Sequence, residues 1–346
     1  MRARILECPS PEWDDALVDV SRSSPHHPDV YFGSAYHAWH AEQGHALAVV
    51  VEDDRGVALF FAGLLLPIDG RAGAFDLQTP NGYGGPLARP GLSADNLGLA
   101  WHYACEVLSE RGVVAMLFRL HPLFDQRPFL PPSARVIDDR VTVYVPIDEG
   151  AAVALAASDS RHRNMVSRGQ RDAATTAWVD VDSPEWAEFE SLYGDAMARL
   201  DARSELRFGP RYFQAMRGSA LAELAVLRDV RGLVAGSLFL WGAEFGHYHL
   251  SARRADTPNY AMNTLVHAGV ERACQRRLQG LHLGGGLSAE PSNSLFRFKA
   301  TIGRGRRTFR LARVVSDEAR FRSLCAEADV ARGLSSEWLL GYRDPA

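Results

Sequence analysis

Cysteine is scarce in this sequence and follows no pattern. Cys8, Cys105, Cys274 and Cys325 stand far apart, with no CxxC or CxxH pair. That argues against a disulfide framework or a cysteine-based zinc site and fits a reducing, cytoplasmic setting. Long apolar runs are missing too. No window approaches the length that crosses a bilayer, so no transmembrane segment is expected. The opening MRARILECPSPEWDD leaves no room for an apolar signal core. There is no excess of positive charge: the net charge is −4, so any nucleic-acid contact must be a local basic patch, and DNA is not an expected partner. GxSxG, HExxH and Walker patterns are all absent, which leaves hydrolase, zincin and P-loop readings without support. What is present is a soluble globular profile, 47% hydrophobic and 23% charged over 346 residues, long enough for two domains.

One unit recurs. SPEWDDAL begins at Ser10 and leads to the strand pair AVVVEDDRGVALFFAGLLL; SPEWAEFE begins at Ser183 and leads to AVLRDVRGLVAGSLFLWG. Each pair turns at a charged residue plus glycine, Asp54-Arg55-Gly56 and Val230-Arg231-Gly232. A further short strand, a helix and a last strand come next in each half, ending in VVAMLFRL and LHL. Self-similarity at this long, near-constant offset predicts two copies of an α/β unit ordered helix, hairpin, strand, helix, strand. The short hairpins demand antiparallel pairing, and the later crossover demands parallel pairing. The fold class is therefore α/β with a mixed sheet, as two domains at 1–150 and 151–346, the boundary falling near 148–160.

Near the end of the second copy stands LHLGGGLSAEPSNSLFRFKATIG. A phosphate cradle needs glycines directly before a helix. Here the next helix starts only near Ser292 or Asn293, so Gly284-Gly285-Gly286 reads as a sharp turn with close backbone approach. On that helix Leu295, Phe298 and Ile302 form the apolar face, Arg297 lies away from it, and spacing alone makes Lys299 a surface lysine.

These residues resemble a known family. HYHLSA (247–252), the helix containing Asn263, LHLGGG and SLFRFKATIG are similar to the second domain of the FemX/FemAB aminoacyl-tRNA-dependent transferases, within the superfamily sharing the GNAT acyltransferase fold. TPNGYGGPL (79–87) and SRHRNMVSRGQRDA (160–173) extend the likeness over roughly 30–315. The resemblance implies two tandem GNAT-like domains, the first binding the acceptor and the second catalytic. It also implies that Lys299 stabilises the oxyanion at the attacked ester, with Phe298 packed beside it, and that no covalent protein intermediate forms. The sequence departs from the family in lacking the sustained heptads of a coiled-coil arm, so the acceptor need not be a lipid-linked pentapeptide.

The donor is read from an absence. Acyl-CoA enzymes of this superfamily resemble one another in a glycine-rich turn after the central strand. The corresponding SARRADTPNYAMNT contains no glycine, and Thr257-Pro258 reads as N-cap and first helical residue. Gly82, Gly84 and Gly85 of the first half precede Pro86 rather than a helix. For tRNA phosphates the candidates are Arg161, Arg163, Arg168 and Arg171 on one helix and Arg304, Arg306, Arg307 and Arg310 after Lys299. Arginines bind the 3′-phosphate of CoA as well, so that donor stays open. His247, His249 and His282 sit at neighbouring strand ends, but without a fitting carboxylate no metal is expected. His249 is a candidate base or acceptor-orienting group. Tyr248, Asn263, Asn81, Tyr83, Arg119 and His121 are candidate substrate contacts. The expected protein is an aminoacyltransferase that needs no cofactor beyond aminoacyl-tRNA as co-substrate and forms an amide on a peptide-like metabolite or cell-wall precursor. The alternatives are an acyl-CoA N-acyltransferase of the same fold and a non-catalytic binding module.

Overall fold

The computed structural model describes residues 1–22, 24, 27–172, 176–230, 232–332 and 339–343. Arg231 of the second hairpin turn and Ala173 at the end of the basic segment lie outside the described residues. The chain divides into two compact units. The first joins Met1–Asp139 to Phe309–Ala346, and the second is Arg140–Thr308. The sequence predicts a single cut, near 150; the observed division cuts the chain twice, because its last part packs into the first unit.

In the first unit, β1 (Arg2–Glu7), α1 (Pro11–Ser21), α2 (Ser34–Ala38), β2 (His45–Asp53), β3 (Gly56–Pro67), β4 (Phe75–Gln78), β5 (Leu87–Ala88), α3 (Ala94–Glu110) and β6 (Val113–Leu120) succeed one another. β1, β2, β3 and β4 pair antiparallel in sequence order, and β4 then pairs parallel with β6. Alternation along β2 assigns its two faces. Leu47, Val49 and Val51 pack with Ala100, Trp101, Ala104 and Leu108 of α3. Ala48 and Val50 pack with Trp13, Ala16, Leu17 and Val20 of α1. Both faces are covered, which is why the strand reads as an unbroken apolar run.

The chain enters the second unit through β7 (Arg135–Pro146). Next come α4 (Ala151–Ala157), α5 (Ser160–Arg171), β8 (Ala177–Trp178), α6 (Glu185–Arg199), α7 (Pro210–Arg217), β9 (Ala222–Asp229), β10 (Gly232–Trp241), β11 (Phe245–Arg253), α8 (Ala261–Gln275), β12 (Gly280–Gly284) and α9 (Ser294–Ile302). β8 to β11 pair antiparallel in order, β11 pairs parallel with β12, and β12 pairs antiparallel with β7. The predicted order of helix, hairpin, strand, helix, strand is thus present twice, as α1-β2-β3-β4-α3-β6 and α6-β9-β10-β11-α8-β12. The core lies under α8, where Leu265, Val266 and Val270 meet Phe239, Trp241, Leu281 and Leu283.

β13 (Gly305–Val315) and α10 (Glu318–Arg332) return the chain to the first unit. β13 pairs antiparallel with β6, from Arg310 opposite Leu120 to Val315 opposite Ala115. Leu340 and Tyr342 join Phe321 and Leu324 against Val114 and Ala115. The Tyr342 hydroxyl donates to the buried Asp76 carboxylate at 2.5 Å, and Arg343 Nε donates to its other oxygen.

α2 carries two histidines into the interior of the first unit. His37 is buried against Trp13, with Nδ1 3.1 Å from the Gly33 carbonyl, and burial pulls its pKa from 6.5 down to about 4. Burial likewise pulls His40 down to about 3. A neutral imidazole is therefore the folded form. Between pH 6.5 and 4 the unfolded chain binds the extra proton, so stability is full above 6.5 and falls as pH drops through this window. For His37 alone the loss is on the order of 3 kcal/mol by pH 4. Urea titrations across this range are expected to show that slope, and His37→Gln is expected to reduce it, the remainder being due to His40.

Candidate active site

The turn after β12 is built by close approach. Gly284 has φ +75°, and a Cβ on Gly286 would lie 2.6 Å from the Asn293 side-chain oxygen. That oxygen caps α9, accepting from the Leu295 and Phe296 N–H groups at 3.1 and 3.2 Å. The glycines therefore make a turn that docks on the helix cap, and the helix starts at Ser294, as the sequence predicts.

The face of α9 is not the expected one. Lys299 and Ile302 are its buried residues; Leu295 and Phe298 are only partly covered, and Arg297 is exposed. The helix turns its lysine inward because its start is fixed by Asn293 and its side chains by the core that Phe296, Phe298 and Ala300 pack against. Lys299 is 8% exposed. Its Nζ donates to the Gly285 carbonyl at 2.8 Å and lies 5.9 Å from the centre of the Tyr248 ring on β11. Among the described residues it has no carboxylate partner. Desolvation pulls its pKa from 10.5 to about 7.

The amine sits where two strands stop pairing. The parallel register of β11 and β12 runs from Phe245–Gly280 to His247–His282 and goes no further. Beyond it, Lys299 bridges the carbonyl after β12 and the ring on β11. In the first unit the same place is closed. After β4, the Thr79 N–H still bonds Leu117, the Gly84 N–H bonds Arg119 at 2.8 Å, and Gly84 bridges Leu120 in parallel.

β11 carries further candidate side chains on its two faces. Its register against β10 skips His249, a bulge that adds one residue and re-aims its neighbours. The Tyr248 hydroxyl therefore meets Ser251, three residues on, at 2.7 Å. His249 instead has Nε2 2.7 Å from the hydroxyl of Tyr212 on α7, whose ring stacks on Phe208 at 4.1 Å. His247 and His282, opposite each other in the register, are in edge contact at 5.7 Å.

Other expected contacts are taken up within the fold. Asn263 is buried, its carbonyl oxygen 2.8 Å from His162 Nδ1 on α5. Thr257 does not cap α8. Its hydroxyl donates to the Val234 carbonyl, a turn at 259–260 precedes the helix, and the helix starts at Ala261. On α5, Arg161, Arg168 and Arg171 line the exposed side opposite His162, Val166 and Gly169. Arg168 lies over Tyr260 at 5.9 Å and 3.9 Å from Asp172, while Arg163 binds the Ser158 carbonyl. After α9, Arg304 is exposed. Arg306 lies over Phe296 and Arg307 over Tyr144, as consecutive residues on opposite strand faces must. Arg310 pairs with Asp138 at 2.7 Å.

In the first unit, Tyr83, Arg119 and His121 do come together. Tyr83 makes edge contacts with Tyr31, His121 and Phe309, and Arg119 lies over Phe309 with Nε 3.1 Å from the Gly82 carbonyl. Asn81 joins through its carbonyl, which accepts from Tyr36. His121 Nδ1 accepts from the Leu123 N–H, and its Nε2 is 2.7 Å from Asp29.

Sequence reasoning missed Tyr212, His162, Phe309 and the Gly285 carbonyl. One signal was available for Lys299. Of the 38 lysine and arginine residues, 37 are arginine, and Lys299 is the only lysine in the chain.

No family model matches the sequence, and no curated protein matches it. Solved structures do. FemX aligns with a TM-score of 0.71 at 11% identity, covering 92% of this chain and 99% of that one. L-PGS from Bacillus licheniformis aligns at 0.60 and 13%, covering 97% and 99%. A tandem GNAT protein from the clavulanic acid biosynthesis pathway aligns at 0.54 and 13%, covering 91% and 99%. The chain therefore has the tandem GNAT fold that the resemblance implied; at these identities the likeness is one of fold.

Asn263→Ala is expected to leave buried His162 short of its partner and to lower stability by about 1–3 kcal/mol, measured by denaturant unfolding. A variant that unfolds like the wild type would show that the His162 contact contributes nothing to stability.

Proposed function

We propose that the chain is an acyltransferase that forms an amide, moving an aminoacyl group from tRNA to an amine. The observation that carries this reading is the buried Lys299 amine at the point where β11 and β12 part, in a fold shared with FemX. An amine attacking an ester carbonyl develops negative charge on oxygen. A fixed donor in a desolvated site stabilises that charge far more than one in water. The second unit is the catalytic one, with Phe298 packing α9, Tyr248 beside the amine on β11, and His249, held by Tyr212, as the group that orients the acceptor. The first unit takes the acceptor, a peptide-like metabolite or cell-wall precursor, at Asn81, Tyr83, Arg119 and His121. Arg161, Arg163, Arg168 and Arg171, with Arg304, Arg306 and Arg307, are the groups for tRNA phosphates. No metal or further cofactor enters this reading, and the setting is cytoplasmic.

The absence of glycine from the turn between β11 and α8 supports tRNA over CoA. A second reading, acyl-CoA as donor, is favoured by the fold likeness to the clavulanic acid pathway protein, whose structure is described as being without AcCoA. A third, a non-catalytic module, predicts that Lys299 is dispensable.

The test supplies labelled aminoacyl-tRNA and, separately, labelled acetyl-CoA, with a mixture of amino acids and short peptides as acceptors. Label is expected in an acid-stable amide from the tRNA arm, and Lys299→Ala is expected to lose at least ~100-fold in rate. Transfer from acetyl-CoA alone would select the second reading, and full activity of Lys299→Ala would sink both. Replacing Arg161, Arg168 and Arg171 by Gln is expected to weaken tRNA binding and reduce its log–log salt slope by roughly 2–3, read by calorimetry at two salt concentrations.

A further inference from the structure

Resting on the acyl-transfer reading, we propose that Lys299 carries the proton of the reaction: its free amine first takes a proton from the acceptor ammonium, and the cation so formed later protonates the leaving group. The composition points there first. The chain uses arginine at every basic position but one, and arginine cannot give up a proton in a protein. The exception is buried where the two parallel strands part. A surface cation or a permanent positive charge is met elsewhere in this chain by arginine; a side chain that alternates between charged and neutral cannot be.

The surroundings agree. Nζ has a carbonyl on one side and a ring face on the other, and both tolerate either form of the amine. The charged and titratable groups of the neighbouring elements are engaged elsewhere. On α5, which packs on α9, Asp159 accepts from the Arg161 N–H, His162 bonds Asn263, and Arg163 bonds Ser158. On β11 and β12, His247 lies against His282 and His249 against Tyr212. Arg306 donates to the Gly303 carbonyl and Arg140 to the Gly286 carbonyl. With no carboxylate among the described residues holding it charged, burial brings the amine to about 7, the range in which one group serves as base and then as acid.

The steps balance. Nζ takes one proton from R–NH3⁺ and becomes a cation. The exposed lone pair forms the C–N bond to the donor carbonyl carbon, and the carbonyl pair moves to oxygen, facing that cation. The attacking nitrogen releases its second proton to water. The oxygen pair returns, the bond to the ester oxygen breaks, and that oxygen takes the proton from Nζ. The products are the amide, the free alcohol and one proton, and Lys299 is again neutral. With a thioester donor, sulfur is the leaving atom and the proton count is unchanged.

A single lysine makes the test direct. Full-length protein grown on lysine labelled with ¹³C at Cε gives one lysine resonance, titrated from pH 5.5 to 11. A midpoint near 7 is expected; a midpoint near 10 overturns the inference whatever the transfer assay shows. In that assay Lys299→Arg, which keeps the charge but cannot accept a proton, is expected to lose at least ~100-fold in turnover. Near-wild-type turnover by Lys299→Arg would leave the oxyanion role and overturn the proton role. Because a bulkier cation could disturb the fold, Lys299→Ala is assayed with added methylamine, and partial recovery that tracks the amine's basicity is expected; no recovery counts against the proposal. A midpoint near 7 in a chain that makes no amide from either donor would overturn the functional reading without changing the state of the amine.

Discussion

An amine taken out of water with no carboxylate partner among the described residues is the constraint on which the second unit's site depends. Desolvation disfavours its charge, and the two contacts that remain, a backbone carbonyl and an aromatic face, only partly offset that. Everything nearby serves to place those two contacts. The glycine turn presents the Gly285 carbonyl, Asn293 fixes where α9 begins and hence which of its residues faces inward, and the β11 register sets Tyr248 beneath the amine. The site is a consequence of helix phase more than of any one side chain's chemistry.

The fold was legible because its signals are local. Hairpin turns, an apolar run covered on both faces and a helix between two strands each dictate their own pairing, so the repeat and its mixed antiparallel and parallel connections could be read from the letters. The candidate site was less so. Lys299 comes directly after Phe298, and apolar spacing put Phe298 inside and the lysine out; Phe298 does pack on the core, but the cap at Asn293 and the core beneath the helix bury the lysine too, and neither is visible in periodicity. Asn263 and Thr257 were chosen for their chemistry, but His162 and the Val234 carbonyl, distant in sequence, take up their polar groups. His121 shows the same limit: its carboxylate partner is Asp29, ninety-two residues away.

The two copies also show how a duplicated unit diverges without losing its frame. Both keep the parallel crossover. In the first, the chain after β4 continues alongside β6 through Gly84; in the second, pairing ceases after three rows and a lysine occupies the opening. The same topology thus yields a filled, aromatic-lined edge in one case and a desolvated polar group in the other, set by the residues just past the central strand.

The return of β13 to the first unit makes the second unit an insertion in the middle of the first. A chain emerging from the ribosome completes residues 140–308 while the first unit's sheet still ends at β6, its edge unpaired and Asp76 still without Tyr342 and Arg343. The first unit's contacts are therefore complete only when β13 and the residues after it have been made. Until then β6 presents an unpaired flank, the kind of strand edge that is open to mispairing.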